Sequence, residues 1–177
     1  MKRRIVISVL AASLLAAGAS GAQQQGITIA TVRGYLDKMG MRYVAHPKNP
    51  DALVAPRSEN KNAERLDLYV ETRKDQSLVL TVYPKLKGRY FTLARVVDRE
   101  KLFQRLLENN HRAFATFFVD PQGDIGARFT FTTETGVAYD AFRVAVIELM
   151  RIADEFTPVL NEYMVKDEPK PQSVPDK

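Results

Sequence analysis

Apolar residues in this chain follow two rhythms, and the changes between them predict its elements. From Thr28, a side chain suited to capping, Ile29, Val32, Leu36 and Met39 recur at helical spacing until Gly40 stops the run. Met41 to Ala45 is a short strand candidate, the Pro-rich HPKNPD a turn, and Leu53 to Ala55 a second short strand. After the polar loop RSENKNAER the spacing shortens to two. Leu66, Leu68 and Val70 alternate with Asp67, Tyr69 and Glu71, and Leu78, Leu80 and Val82 alternate with Ser77, Val79, Thr81 and Tyr83. Such alternation marks half-buried strands, and KDQ joins the two runs as a hairpin loop. Tyr90 to Val96 is expected to add another strand, reached through the basic loop PKLKGR.

Helical spacing then returns. Asp98 is placed to cap a helix over Arg99 to Asn109 with Leu102, Phe103, Leu106 and Leu107 on its buried side. Phe114 to Val119 and Ile125 to Phe131 read as strands around DPQGD, with proline at a turn's second position and glycine where positive φ is needed. A closing helix from Tyr139 to Phe156 carries Phe142, Ala145, Leu149 and Phe156 on a broad apolar face. Val144 and Ile147 fall among its polar positions, and Met150 widens the stripe. More apolar surface than one packed face requires makes Val144, Ile147 and Met150 the candidate contact with a partner or a second copy of the chain. The elements define an α+β fold, an antiparallel sheet packed against helices in the order α-β-β-β(-β)-α-β-β-α.

The ends change the picture of where the chain works. Lys2, Arg3 and Arg4 followed by an apolar run from Ile5 to Ala19, with Ser20 and Ala22 as small residues, form a secretory signal expected to be cleaved near Ala22. The run is short and alanine-rich for a membrane span, so no stable anchor is expected after cleavage and the product is periplasmic or secreted. One domain is expected over residues 27–164, and 165–177, with Pro169, Pro171 and Pro175, reads as a disordered tail. With no cysteine in the chain, disulfides, thiolate metal sites and a lipid-carrying N-terminal cysteine are excluded.

Charge says less than its total suggests. The formal +5 falls once Lys2, Arg3 and Arg4 are removed, leaving 23 basic against 21 acidic residues, which is not a nucleic-acid footprint. The excess is local: between Lys85 and Arg105 stand seven basic residues against Asp98 and Glu100. Lys85, Lys87 and Arg89 are the candidate contacts for an acidic partner, and the same window would serve an anionic envelope polymer or membrane surface.

Catalytic chemistry has few candidates. His111, Asp120 and Asp124 are the groups an envelope hydrolase would need, but no nucleophile motif, phosphate-cradling loop or paired-histidine spacing accompanies them. The aspartates suit a turn and lack the alternating oxygen ligands of a calcium loop, so neither a metal nor a cofactor is expected.

A helix ending LLENN, the turn DPQGDI between two strands, and the closing helix AFRVAVIELMRIADEFTPVL together resemble the YbjN-like family over roughly Ile27 to Leu160. That resemblance implies the α+β fold of type III secretion chaperones and a non-enzymatic module, often dimeric, that regulates or binds proteins. Asp120, Gly123 and Asp124 match its turn as fold-making residues. The export signal departs from the pattern of cytoplasmic secretion chaperones. The expectation is therefore an exported binder of a protein or peptide partner, with no catalytic residues.

Overall fold

In the computed structural model, which describes residues 26–112 and 114–165, the alternating runs form one antiparallel sheet with the helices on one face. The elements are α1 (Ile29–Lys38), β1 (Val44–His46), β2 (Asn49–Arg57), β3 (Arg65–Thr72), β4 (Ser77–Leu86), β5 (Arg89–Tyr90), a 3-10 turn (Leu93–Arg95), α2 (Arg99–Arg112), β6 (Thr116–Val119), β7 (Ile125–Thr132) and α3 (Tyr139–Glu162). The strand order is β1-β2-β3-β4-β7-β6, with β5 beside the far end of β4. The signal segment, the tail from residue 166 and the side chain of His111 lie outside the described residues.

Register explains the core. Leu68 pairs with Val82 and Val82 with Ala127, Val70 pairs with Leu80 and Leu80 with Phe129, so period-two apolar residues stack across three strands on one face. Against them α3 lays Phe142, Ala145, Val146, Leu149 and Ala153, α1 lays Val32 and Leu36, and α2 lays Leu102 and Leu106, all buried in one cluster.

The local signals act where the sequence placed them. Thr28 Oγ1 accepts the Thr31 N–H at 3.2 Å, and Asp98 Oδ1 accepts the Lys101 N–H at 3.1 Å, each capping a helix start. Gly40 at φ +67° ends α1 in a Schellman motif, its N–H on the Asp37 carbonyl and the Met41 N–H on the Leu36 carbonyl. At the LLENN helix end, the Asn110 side chain accepts the Phe117 N–H at 2.6 Å and donates to the Phe117 carbonyl at 3.1 Å. It thereby stands in for a neighbouring strand beside β6.

Three boundaries differ from expectation. The strand expected over Tyr90–Val96 stops at Tyr90: Leu93 N–H donates to the Gly123 carbonyl at 2.9 Å and Thr92 bridges to Asp124, which draws the chain off β4 toward the β6–β7 turn. β2 is nine residues long and contains Pro50 and Pro56. Because β1 pairs with it only as far as Val54, the missing Pro56 donor falls where β2 is itself an edge. α3 continues through Pro158 to Glu162, with Thr157 Oγ1 donating to the Ala153 carbonyl at 2.9 Å just before the proline.

Candidate functional site

The abrupt end of α1 leaves a groove. Gly40 reverses the chain so that Met39 and Met41 sit beside the first half of α3, while the last residues of β2 close the third side. The space amounts to about 630 Å³. Its floor is apolar: Met39 and Met41 pack on the core, and Val146 and Met150 are buried beneath them. Ile147 forms one wall, 43 % exposed.

The rim is basic. Lys38, Arg42, Arg57 and Arg143 surround the floor against a single carboxylate, Glu59. Among the described residues Arg42 and Arg57 have no ion-pair partner. The Lys38 ammonium lies 5.3 Å from the Tyr139 ring centre, and Arg143 meets exposed Asp140 only at 3.6 Å. Both of those contacts are solvent-exposed and weak, so the rim keeps most of its field. An apolar floor inside a cationic rim holds an amphipathic segment whose apolar side chains fill the floor and whose flanking carboxylates meet the rim.

One wall of the groove is held from behind. Asp154 on α3 accepts the backbone N–H groups of Lys61, Asn62 and Ala63 at 3.0, 2.9 and 2.7 Å, fixing the loop that leaves β2 past Arg57 and Glu59.

The residues expected from sequence divide unevenly. Ile147 and Met150 both line the groove, but Met150 is only 2 % exposed and serves as floor, not as the exposed contact foreseen; Val144, 48 % exposed, lies outside the groove on the same helix. Lys85 is not a free cation. Its ammonium sits 3.2 Å from the buried Asp67 carboxylate and 4.0 Å over the Tyr90 ring. Lys87 and Arg89 flank the β4–β5 turn, where Lys87 itself adopts φ +53°. Further along the basic window, Lys101 pairs with Asp98 and Arg105 with Glu108. The positive rim at α1, β2 and α3 was missed because its four cations come from three separated segments.

Asp120 holds the β6–β7 turn: its Oδ1 accepts the N–H groups of Gln122 and Asp124 at 2.9 and 2.8 Å, and Gly123 takes φ +88°. Asp124 does not share that capping task. Burial, followed by the neighbouring Asp120 charge, raises its carboxyl above the usual carboxylate range. Among the described residues no group of three or more His, Asp or Glu is placed to hold a metal ion, and no helix is long and apolar enough to cross a membrane.

Helices gathered on one face of an antiparallel sheet define an α+β fold. Solved structures share it. A crystal structure of YbjN from E. coli, a candidate transcription regulator, superposes with a TM-score of 0.56 at 16 % identity, covering 80 % of this chain and 100 % of YbjN. The ExsC–ExsE complex contains a chain that superposes with a TM-score of 0.51 at 12 % identity over 77 % of this chain and 97 % of that one. ExsC is a type III secretion chaperone. No family model matches the sequence, and no curated protein does either.

Proposed function

We propose that the chain is an exported, non-catalytic binding module that holds an amphipathic, acid-flanked segment of a protein partner in the α1–β2–α3 groove. The observation that carries this reading is the pairing of an apolar floor with four rim cations and one rim carboxylate. The fold supports it: YbjN and ExsC are a candidate regulator and a chaperone, and ExsC was crystallised with ExsE. Rim charge steers an acidic segment into the groove and sets its salt dependence, while the apolar floor sets how long it stays. Val144 and Ile147, neighbouring and exposed on α3, give the same helix a place where a second copy or the partner's remaining surface rests.

The test is fluorescence anisotropy with two labelled amphipathic helical peptides of identical apolar face, one acid-flanked and one lysine-flanked. The acid-flanked peptide is expected to bind more tightly, and Arg57→Glu/Arg143→Glu to weaken it about tenfold or more. Lys87→Glu/Arg89→Glu should leave it unchanged. Equal binding of both peptides, or loss only in the Lys87/Arg89 variant, moves the function to the basic window and to anionic polymers. Export is tested separately: the protein recovered from the cell envelope should begin at Gln23 by N-terminal sequencing.

A further inference from the structure

The sheet face turned away from the helices is covered by its own aromatic side chains. Tyr69 on β3 and Tyr83 on β4 meet edge to face at 5.4 Å, and Tyr83 also meets Tyr90 at 5.8 Å and Phe118 at 5.9 Å. Every phenol is tied down. Tyr90 donates to Asp67 at 2.5 Å, the Tyr69 hydroxyl lies 3.3 Å from that of Tyr90, and Tyr83 donates to Asp120 at 3.0 Å. Burial first, and then the hydrogen bond to a carboxylate, push the Tyr83 and Tyr90 hydroxyls far above the usual tyrosine range, so both are fixed as neutral donors. The rings are therefore a rigid floor. Gly126 makes room for it, because a Cβ there would lie 3.0 Å from two Tyr83 ring carbons.

Over this floor opens a cleft of about 310 Å³. Its rim carries planar polar groups with unused capacity. Neither the Gln122 amide nor the Asp124 carboxylate makes a side-chain hydrogen bond among the described residues. Arg128 uses only Nε, on Thr81 Oγ1 at a long 3.5 Å, and its guanidinium lies 3.9 Å from the Phe118 ring centre. His46 accepts the Lys48 N–H on Nδ1 at 3.3 Å, which leaves Nε2 as a donor in the neutral ring. Asp124 and Arg128 stand on the same strand face four positions apart, a span of roughly 13 Å at about 3.3 Å per residue.

The mixture selects the ligand. An anion would meet Asp124, Glu71 and Asp120, and a cation would meet Arg128, while the Glu71 and Asp120 carboxylates are already engaged by Asn49, Arg73 and Tyr83. Hydroxyl groups both donate and accept, so a ring bearing several of them satisfies a carboxylate, an amide, a guanidinium and an imidazole together. The C–H face of such a ring packs on tyrosine. We propose that this cleft is a saccharide-binding site, sized for one or two rings of a neutral glycan. It is separate from the α1–β2–α3 groove, so either site can fail without the other.

The experiment is an NMR titration of the purified protein with maltose, cellobiose and N,N′-diacetylchitobiose, each to about 20 mM, with spermidine and acetate as charged controls. The expected result is a saturable shift of the Tyr69, Tyr83 and Tyr90 ring signals with at least one disaccharide and with neither control. Gln122→Ala/Asp124→Ala, whose spectrum away from the cleft reports intact folding, should weaken the titration about tenfold. A longer oligosaccharide of the responding sugar should bind more tightly if the natural source is a polymer, and equally if it is a free sugar. No saturable shift with any of the sugars, a shift that survives in the variant, or a response to spermidine or acetate in place of sugar would overturn the site.

Discussion

Asp67 carries more than its place in the sequence suggests. Its side chain is buried yet receives Arg65 at 2.5 Å, Tyr90 at 2.5 Å and Lys85 at 3.2 Å. Burial alone would raise its pKa, but these donors outweigh burial and hold the carboxyl below the usual range. Removing the charge leaves Lys85 and Arg65 facing a buried neutral group, so Asp67→Asn should lower unfolding free energy by about 2–3 kcal/mol in urea denaturation at pH 7. The sign with pH follows from a depressed folded-state pKa: this stability is present above the unfolded value of about 4 and is lost as pH falls through the lower folded value. The gap between wild type and variant should therefore narrow as pH falls below about 4. A gap that stays constant as the solution is acidified would remove the carboxylate from the account. None of this was legible beforehand, because alternation assigns Asp67 to the polar face and a polar face reads as solvent. The burial comes from Tyr90, 23 residues away in no shared pattern but adjacent to Lys85 across β4 and β5. Gly126 is a second residue of this kind: Gly126→Ala should cost about 1–3 kcal/mol, because the new methyl meets the Tyr83 ring and the Val82 carbonyl at 3.0 Å.

At the scale of elements, the sequence spoke clearly wherever local chemistry decided the outcome. Thr28, Gly40, Asp98 and the Asp120–Gly123 turn act within a few residues of themselves, and each stands as expected. Two elements run past their expected ends: β2 continues through Pro56 and α3 through Pro158. The groove was half legible. The width of the α3 stripe pointed to Ile147 and Met150, but only the fold brings Arg42 and Arg57 beside them. The element tying α3 to that wall is testable through Asp154. Asp154→Ala should remove three charge-assisted hydrogen bonds and cost about 2 kcal/mol. Hydrogen exchange at the amides of Lys61, Asn62 and Ala63 should accelerate well beyond that of β3. Unchanged exchange there would mean the loop is held by other contacts.

Across the whole molecule, two opposite faces hold two different chemistries. The helical side carries a groove with a cationic rim, and the open side carries an aromatic-floored cleft of mixed polarity. Their independence gives a further expectation: saturating the cleft with a responding disaccharide should shift peptide affinity at the groove less than twofold, measured by anisotropy with and without sugar. A larger change would require the sheet between them to exist in two arrangements.

The sheet order has a consequence in time. β4 lies between β3 and β7, and the sheet's apolar face is closed by α3, so the centre of the core waits for the last helix to be made. A chain emerging from the ribosome can pair β2, β3 and β4 early but cannot bury Leu80 and Val82 until Phe142 and Leu149 arrive. Completion of the fold is thereby deferred until α3 has been synthesised, so the paired strands β2 to β4 stay uncovered on their apolar side until then.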